Sequence, residues 1–385
     1  MRSVFTTERL WDGQAFVQQP VVVVEDGRIV EISSRATRES PSGAVSRDFG
    51  DALLAPSFFD VHIHGAAGHD VMEGSAEALG AIGAFLAAHG TANYFPTTVT
   101  APVDATLRSL EALGKHIRQS PRNGQARPIG IHLEGPFLSH SKRGVHPPEL
   151  LLEPDIALFD RMFEAAEGQI RLVTLAPELP GAVEFAAHAT ARGVRVSVGH
   201  SDATAADTRA AIAAGAVSAT HTYNAMRALD HREPGILGEV LTADGLFAEL
   251  ICDGIHNAPE MVRLWWKAKG PKRALLITDS MAAAGMPDGT YQLGHFSVKV
   301  ADGRATARGV LAGSVLTLDR ALANFVRFTG ATVDQGLRLM TANPAAMTGC
   351  EAQAGALRVG GPANFVAVDA SGGLAGSVVG GQVVA

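Results

Sequence analysis

Seven polar side chains of this 385-residue chain stand where short apolar runs end. Each run is rich in Val, Ile, Leu or Ala, which predicts a buried strand. Imidazoles and carboxylates gathered at strand ends are the groups that bind a divalent metal and move protons. We therefore expect a metal centre with an acid–base group beside it. The seven residues are His62, His64, Glu134, His200, His221, His256 and Asp279.

The spacing of the first two histidines makes them a pair. Side chains along a strand alternate between its faces, so His62 and His64 in FFDVHIHG share one face while Ile63 points away. By the same rule, Glu134 in IGIHLEGPF shares its face with His132. A single buried histidine more often only hydrogen-bonds within a core. The whole set, in contrast, favours metal binding.

Five of these residues provide enough ligands for two ions, with the carboxylate of Glu134 shared between them. Water bound to such ions loses a proton near neutral pH and becomes a nucleophile. Asp279 in ALLITDS can accept that proton and pass it to a leaving amine, or it can simply cap the following turn. The five expected ligands are His62, His64, Glu134, His200 and His221.

Further side chains in the predicted loops can hold a substrate. His146 in KRGVHPPE can donate a hydrogen bond to a developing oxyanion, or it can be a solvated loop histidine. Arg232 in HREPG and His256 in DGIHN follow consecutive strands and suit a phosphate, although a lone arginine is often a surface charge. YNAM adds the side chain of Asn224 and the backbone N–H of Ala225 as donors.

The scaffold must bring these strand ends together. Eight predicted strands alternate with helices, which predicts an α/β fold, a (β/α)8 TIM-like barrel with its chemistry at the C-terminal strand ends. A doubly wound sheet is the alternative. The predicted strands are 56–61, 93–99, 129–134, 170–175, 194–199, 216–220, 247–252 and 274–278. The predicted helices are 75–89, 103–118, 155–167, 181–192, 204–214 and 259–269.

Both chain ends predict β structure. VVVVEDGRIVEI indicates a hairpin, and ANFVAVDASGG and GSVVGGQVVA indicate short strands with glycine turns. We expect a small β-sandwich domain built from residues 1–54 and 351–385, around a barrel of residues 55–350. A β excursion is predicted at 286–310, after the last barrel strand.

Composition narrows the classes of function. A net charge of −7 argues against nucleic-acid binding. Two cysteines outside any CxxC pattern predict a reducing compartment, and we expect the cytoplasm. The sequence predicts no signal peptide and no membrane-spanning run, so no membrane partner is expected.

The motifs together resemble the N-acetylglucosamine-6-phosphate deacetylases of the amidohydrolase superfamily. Matching strings run in order from about residue 56 to 319, among them HLEGPF, GHSDA, HTYNAM, DGIHN and LITDSMAAAG. The resemblance implies hydrolysis of N-acetylglucosamine 6-phosphate to glucosamine 6-phosphate and acetate. It also implies one or two ions of zinc, iron, manganese or cobalt, and a homodimer.

The resemblance assigns roles by position. Asp279 matches the catalytic acid–base, and His146 matches the residue on the acetyl carbonyl. Many two-metal relatives in the superfamily use a carboxylated lysine after strand 4, but IRLVTLAPE has none, so Glu134 has to be the bridge. The matched metal ligands are His62, His64, Glu134, His200 and His221. The matched sugar and phosphate contacts are Asn224, Ala225, Arg232 and His256, and in relatives the arginine can come from a neighbouring subunit.

Other functions stay open at this point. Another amidohydrolase activity is the nearest, such as an N-acetylgalactosamine-6-phosphate deacetylase, a cyclic amidase or an N-acyl amino acid deacylase. HREPG and DGIHN favour a phosphorylated substrate over the last two. A non-catalytic sugar-phosphate sensor is a third class, and the intact ligand set and Asp279 argue against it.

Overall fold

The largest sheet in the described residues has nine parallel strands, and eight of them form a series in which each strand pairs with the next of the series along the chain. The computed structural model describes residues 2–36, 45–119 and 124–385. The barrel strands are β1 (Phe58–Ile63), β2 (Thr91–Thr98), β3 (Ile131–Glu134), β4 (Ile170–Leu175), β5 (Arg195–Val198), β6 (Ala216–Ala219), β7 (Phe247–Ile251) and β8 (Ala274–Ile277).

The last strand returns to the first, which closes the sheet into a barrel. Ile63 and Ser280 form a parallel bridge just past β8. The N–H of Asp279 also donates to the carbonyl of His62 at 2.9 Å. The (β/α)8 prediction is therefore confirmed, and the doubly wound alternative is wrong.

Helices cover the outside of the barrel. In the first, Ser75 accepts a hydrogen bond from the N–H of Ala78, and Gly90 follows the helix with a left-handed φ of 81°. The α-helices are α1 (Ala76–Ala88), α2 (Val103–Ile117), α3 (Ile156–Ala165), α4 (Ala182–Ala191), α5 (Ala205–Ala213), α6 (Gly235–Thr242), α7 (Pro259–Arg273), α8 (Leu318–Thr329), α9 (Val333–Leu339) and α10 (Ala342–Thr348). Short 3-10 helices lie at Val71–Glu73, His140–Lys142 and Pro148–Leu150.

Four of these helices were missing from the prediction, namely α6 and α8–α10. Because six of the eight residues of α6 are buried, the helix lacks the polar face that gives a helical period. Helix α8 does carry that period, with Leu318, Ala321, Leu322 and Phe325 buried, so its omission was an error. Strand β1 also lies two residues further along than the predicted 56–61, which puts His62 inside the strand.

Strands from both chain ends form two further sheets. One has the order Arg28–Ser34, Pro20–Glu25, Arg2–Thr6, Val45–Asp48. The other has the order Gln382–Val383, Leu374–Val379, Phe365–Val368, Leu53–Pro56, Arg9–Trp11, Phe16–Gln18. Phe5 and Phe365 meet edge to face across the sheets, 4.9 Å between centroids, in a shared apolar core. The sandwich agrees with the predicted fold class, while the division into domains at 54/55 and 350/351 stays a prediction.

The predicted β excursion is a four-stranded antiparallel sheet that follows β8. Its strands are Gly289–Leu293, Phe296–Ala301, Arg304–Ala307 and Val310–Leu311. Three short strands complete the described elements: Gly65–Ala66 pairs with His69–Asp70, and Arg127–Pro128 pairs with β2. Within the described ranges, each helix is too short or too polar to cross a membrane.

Candidate metal centre

Strand β1 separates an apolar outer face from a polar inner one. Phe59 points outward and packs edge to face on Phe95 of β2, with 5.1 Å between the ring centroids. His62 and His64 point into the barrel mouth, where both are buried and their Nε2 atoms lie 3.3 Å apart. The alternation expected from the sequence therefore brings this pair to one point.

Glu134, the last residue of β3, lies between two pairs of histidines. Its Oε2 is 3.4 Å from Nε2 of His62 and 3.2 Å from Nε2 of His64. Its Oε1 is 3.3 Å from Nε2 of His200 and 3.1 Å from Nε2 of His221. Each carboxylate oxygen thus serves one pair, which is the arrangement of a carboxylate shared by two ions.

Asp279 completes the group around His62 and His64. Its Oδ1 lies 3.1 Å from Nε2 of His64 and 3.5 Å from Nε2 of His62. The ligand atoms of these three residues lie within 4.8 Å of one another, as do those of Glu134, His200 and His221. The sequence analysis gave Asp279 an acid–base role or a turn-capping role, and the structure places it where it can also contact an ion.

Backbone carbonyls fix the tautomers of two ligand histidines. Nδ1 of His64 lies 2.9 Å from the carbonyl of Thr97, and Nδ1 of His200 lies 2.9 Å from the carbonyl of Lys142. A carbonyl only accepts hydrogen bonds, so each Nδ1 carries the proton. Each Nε2 then faces the cluster, where an ion can take the place of a proton on that nitrogen.

The charges of the cluster favour a cation. Burial alone would raise the pKa of Glu134, but the surrounding histidines, His62 foremost, hold it well below its usual range. Burial likewise opposes the shift at Asp279, where His62 and His64 lower the pKa to about 2. Burial would lower the pKa of His64, yet bonds to Asp279 and Glu134 raise it to about 9. Two ionised buried carboxylates thus draw positive charge, which divalent ions can supply.

His146 reaches this cluster from the loop after β3. It is buried, its Nδ1 lies 2.8 Å from the hydroxyl of Thr100, and the N–H of Thr100 donates to the same nitrogen at 3.3 Å. Burial, with the charge of His200 second, lowers the pKa of His146 to about 3. The ring is therefore neutral with its proton on Nε2, which lies 3.8 Å from Oε2 of Glu134.

A cavity of about 550 Å³ opens above the cluster. Its wall includes the predicted substrate residues Asn224, Ala225 and His256, together with Lys142 and Arg143, which the sequence analysis passed over although they stand beside His146 in KRGVH. Nδ1 of His256 lies 2.6 Å from the carboxylate of Asp253, which leaves Nε2 as the ring nitrogen available to a ligand.

Arg232 is the exception among the predicted site residues. Its side chain is exposed, and it does not belong to the cavity wall. The N–H of Arg232 donates to Asp230 in a surface turn. The structure thus does not bring Arg232 to the pocket of its own chain.

Two buried carboxylates behind the cluster were missed. Asp60 accepts hydrogen bonds from the N–H of His62 at 3.2 Å and from the hydroxyl of Thr278. Glu249 of β7 lies 3.5 Å from Nδ1 of His62. Each carboxylate interrupts an apolar strand, FFDVHI or FAELI, and that interruption is the signal that could have found it.

Several site residues adopt a left-handed backbone. His200, His221, Ala225 and Asp279 have φ of 47°, 29°, 51° and 49°. This conformation costs free energy for residues other than glycine and is held where surrounding structure demands it. Here it turns the chain sharply at the strand ends.

Comparisons with known proteins agree with the motifs. The model of the amidohydrolase family matches residues 53–384. An N-acetylgalactosamine-6-phosphate deacetylase of Escherichia coli O157:H7 is 37% identical over 370 residues, or 96% of each chain. An N-acetylglucosamine-6-phosphate deacetylase of Lysinibacillus sphaericus is 37% identical over 330 residues, or 85% of this chain and 84% of that one. A point mutant of the Mycobacterium smegmatis N-acetyl-D-glucosamine-6-phosphate deacetylase, solved with N-acetyl-D-glucosamine-6-phosphate, superposes with a TM-score of 0.91 at 33% identity, covering 100% of this chain and 99% of that one.

Proposed function

The chain belongs to the amidohydrolase family, and we propose that it hydrolyses the acetamide of N-acetylglucosamine 6-phosphate to give glucosamine 6-phosphate and acetate. The observation that carries the proposal is Glu134, whose two oxygens each face one histidine pair at the floor of a sugar-sized cavity. The relatives of this chain are named as deacetylases of N-acetylated amino sugar 6-phosphates.

The residues present fit one or two divalent ions, because backbone carbonyls accept Nδ1–H of His64 and His200 and leave Nε2 of each ring facing the cluster. We assign His62 and His64 to one ion and His200 and His221 to the other, with Glu134 shared. When bound, such ions acidify water and polarise a carbonyl. Zinc, iron, manganese and cobalt all suit this donor set, and the choice among them belongs to the proposal.

Two side chains then act on the amide. Asp279 is ionised at neutral pH, so its carboxylate can take a proton from the attacking water and deliver it to the leaving nitrogen. His146 is neutral with its proton on Nε2, so it can donate a hydrogen bond to the acetyl oxygen as negative charge develops there.

Recognition of the phosphate is assigned to the loops at the cavity mouth. Nε2 of His256 is available to a phosphate oxygen, while the side chain of Asn224 and the N–H of Ala225 suit the sugar. Arg232 is exposed, so we propose a homodimer in which Arg232 of one copy reaches the pocket of the other. The buried free thiols of Cys252 and Cys350 support a cytoplasmic location for this enzyme.

The test compares kcat/KM for the epimers N-acetylglucosamine and N-acetylgalactosamine, each with and without its 6-phosphate. We expect the highest kcat/KM for N-acetylglucosamine 6-phosphate and a large loss without the phosphate. The second candidate is N-acetylgalactosamine 6-phosphate, favoured by the Escherichia coli relative. A higher kcat/KM for that epimer would move the assignment to it. Absence of acetate release from any N-acetylhexosamine phosphate by the metal-loaded protein would refute the proposal.

A further inference from the structure

Glu249 is a charged residue in the middle of an otherwise apolar barrel strand. Its side chain is fully buried, and its neighbours in FAELI are apolar. Ionised carboxylates are costly to bury unless they are paired, so this one needs an explanation. Within the described residues, no lysine or arginine forms an ion pair with it, and Oε1 has no hydrogen-bond partner.

The contacts of Glu249 point to the metal cluster. Its Oε2 lies 3.5 Å from Nδ1 of His62, on the side of the ring opposite Nε2. The same oxygen accepts the N–H of His221 at 3.4 Å. One carboxylate oxygen thus faces the ring of a ligand in one group, His62, but only the backbone of a ligand in the other, His221.

The partner of Nδ1 in His62 differs from the Nδ1 partners of two other ligand histidines. His64 and His200 each place Nδ1 against a backbone carbonyl at 2.9 Å. His62 instead faces the side-chain carboxyl group of Glu249, and a carboxylate is a stronger acceptor than a backbone carbonyl. A carboxylate behind a histidine is a common way to hold the ring orientation and the tautomer that a metal needs.

We propose that Glu249 is a positioning residue for the ion held by His62 and His64. It accepts Nδ1–H of His62, which directs the Nε2 lone pair toward Glu134 and Asp279. This inference rests on the metal assignment of the proposed function. It gives the two ion positions different supports, because among the residues described only the His62 position has a carboxylate behind a ligand ring.

A positioning role and a merely structural role predict different effects of replacing Glu249 with an apolar residue. If Glu249 served the fold, an apolar residue of similar size should destabilise the chain and weaken both ion positions together. If it serves His62, the apolar residue should leave the fold stable, because replacing a buried charge by a well-packed side chain is often neutral. Only the affinity for the ion of His62 and His64 should then fall.

The experiment uses metal-free protein titrated with cobalt(II) against a competing chelator. The variants are Glu249→Gln, which keeps the shape, and Glu249→Leu, which removes every polar atom. Asp70→Asn is the matched control, because Asp70 is a buried carboxylate whose oxygens accept from the N–H groups of Met72 and Gly294. Anomalous diffraction at the cobalt edge identifies the position that each ion occupies.

We expect the wild type to bind two ions. Glu249→Leu should bind one of them about 10- to 100-fold more weakly, at the position of His62 and His64, and Glu249→Gln, which keeps an acceptor oxygen, should lose less. Affinity at the Glu134, His200 and His221 position, and the Tm of the metal-free protein, should stay near the wild-type values. Asp70→Asn should leave both affinities unchanged.

Three results would overturn the inference. They are unchanged affinities in both Glu249 variants, a parallel loss at both positions together with a lower Tm, and a wild type that takes up only the ion of the Glu134, His200 and His221 position. In each case deacetylation by the loaded wild type leaves the proposed function standing. Failure of the proposed function would be seen in a different result, namely a wild type that binds ions but releases no acetate.

Discussion

Replacing Asp279 with asparagine should remove most of the turnover while leaving the architecture of the site in place. The substitution keeps the size and shape of the side chain. The residue has φ of 49°, and asparagine tolerates this left-handed conformation better than most residues. The backbone bonds of residue 279 to His62 at 2.9 Å and from Ser314 at 2.7 Å do not involve the side chain. What is lost is one negative charge and one proton acceptor.

The size of the effect follows from that loss. The neighbouring histidines hold the pKa of Asp279 near 2, with burial opposing them, so the wild-type carboxylate is an ionised acceptor throughout the neutral range. An amide cannot accept and return a proton. General acid–base groups contribute about 10²–10⁴-fold to rate, and kcat should fall by that factor. At about 1.4 kcal/mol for each tenfold, the barrier rises by roughly 3–5 kcal/mol.

The assay has to separate proton transfer from metal loss, because Oδ1 of Asp279 is 3.1 Å from His64. Metal content is measured on the same preparation, and kcat and KM are determined with cobalt or zinc in excess. Binding of glucosamine 6-phosphate by calorimetry serves as the control for an intact pocket. A fully loaded variant whose kcat lies within tenfold of the wild-type value would refute the acid–base role.

Three further outcomes are expected. Glu134→Gln should reduce the metal content to below one ion per chain by elemental analysis and abolish activity, and a fully loaded variant would contradict the shared carboxylate. Arg232→Ala and His256→Ala should each lower kcat/KM for the phosphorylated sugar by about ten- to a hundredfold, since a charge-assisted hydrogen bond contributes about 1.5–3 kcal/mol. They should affect kcat/KM for the unphosphorylated sugar little, and equal losses on the two sugars would argue against phosphate contact. Asp279 and Glu134, opposed by burial, raise the pKa of His64 from 6.5 to about 9. A group whose pKa is raised on folding stabilises the folded state fully below its unfolded-state pKa, and this stabilisation is lost as the pH rises through its folded-state pKa. The Tm of the metal-free protein should therefore fall between pH 6.5 and 9, and the rise in Tm on adding zinc should grow over that window; a flat profile would contradict this.

The candidate ligands could be predicted because the information is local. An imidazole pair two residues apart on a strand, or a histidine directly after an apolar run, shows its direction in a few letters of sequence. Glu249 shows only that a charge stands in a buried strand, because its partner His62 is 187 positions away. The exposed position of Arg232 depends on the fold of a loop, so no periodicity reveals it.

The missed helix α6 and the displaced strand β1 show two different limits of the sequence pattern. Helix α6 has little polar surface, because α5, α7 and β7 pack against it and six of its eight residues are buried, and amphipathic spacing therefore does not identify it. The two-residue displacement of β1 left the face of His62 and His64 unchanged, since a strand repeats every two residues. The site prediction was therefore insensitive to an error in the strand boundaries.

The six-stranded sheet sets an order of events for biosynthesis. Its strand Leu53–Pro56 leads almost directly into β1, yet it pairs on one side with Arg9–Trp11 and on the other with Phe365–Val368. A ribosome that has completed most of the barrel has not yet made the second neighbour. Until then, Leu53–Pro56 is an open edge next to apolar strands, and such edges recruit other chains. We therefore expect nascent chains arrested before residue 365 to depend on a holding chaperone and to aggregate when it is withdrawn.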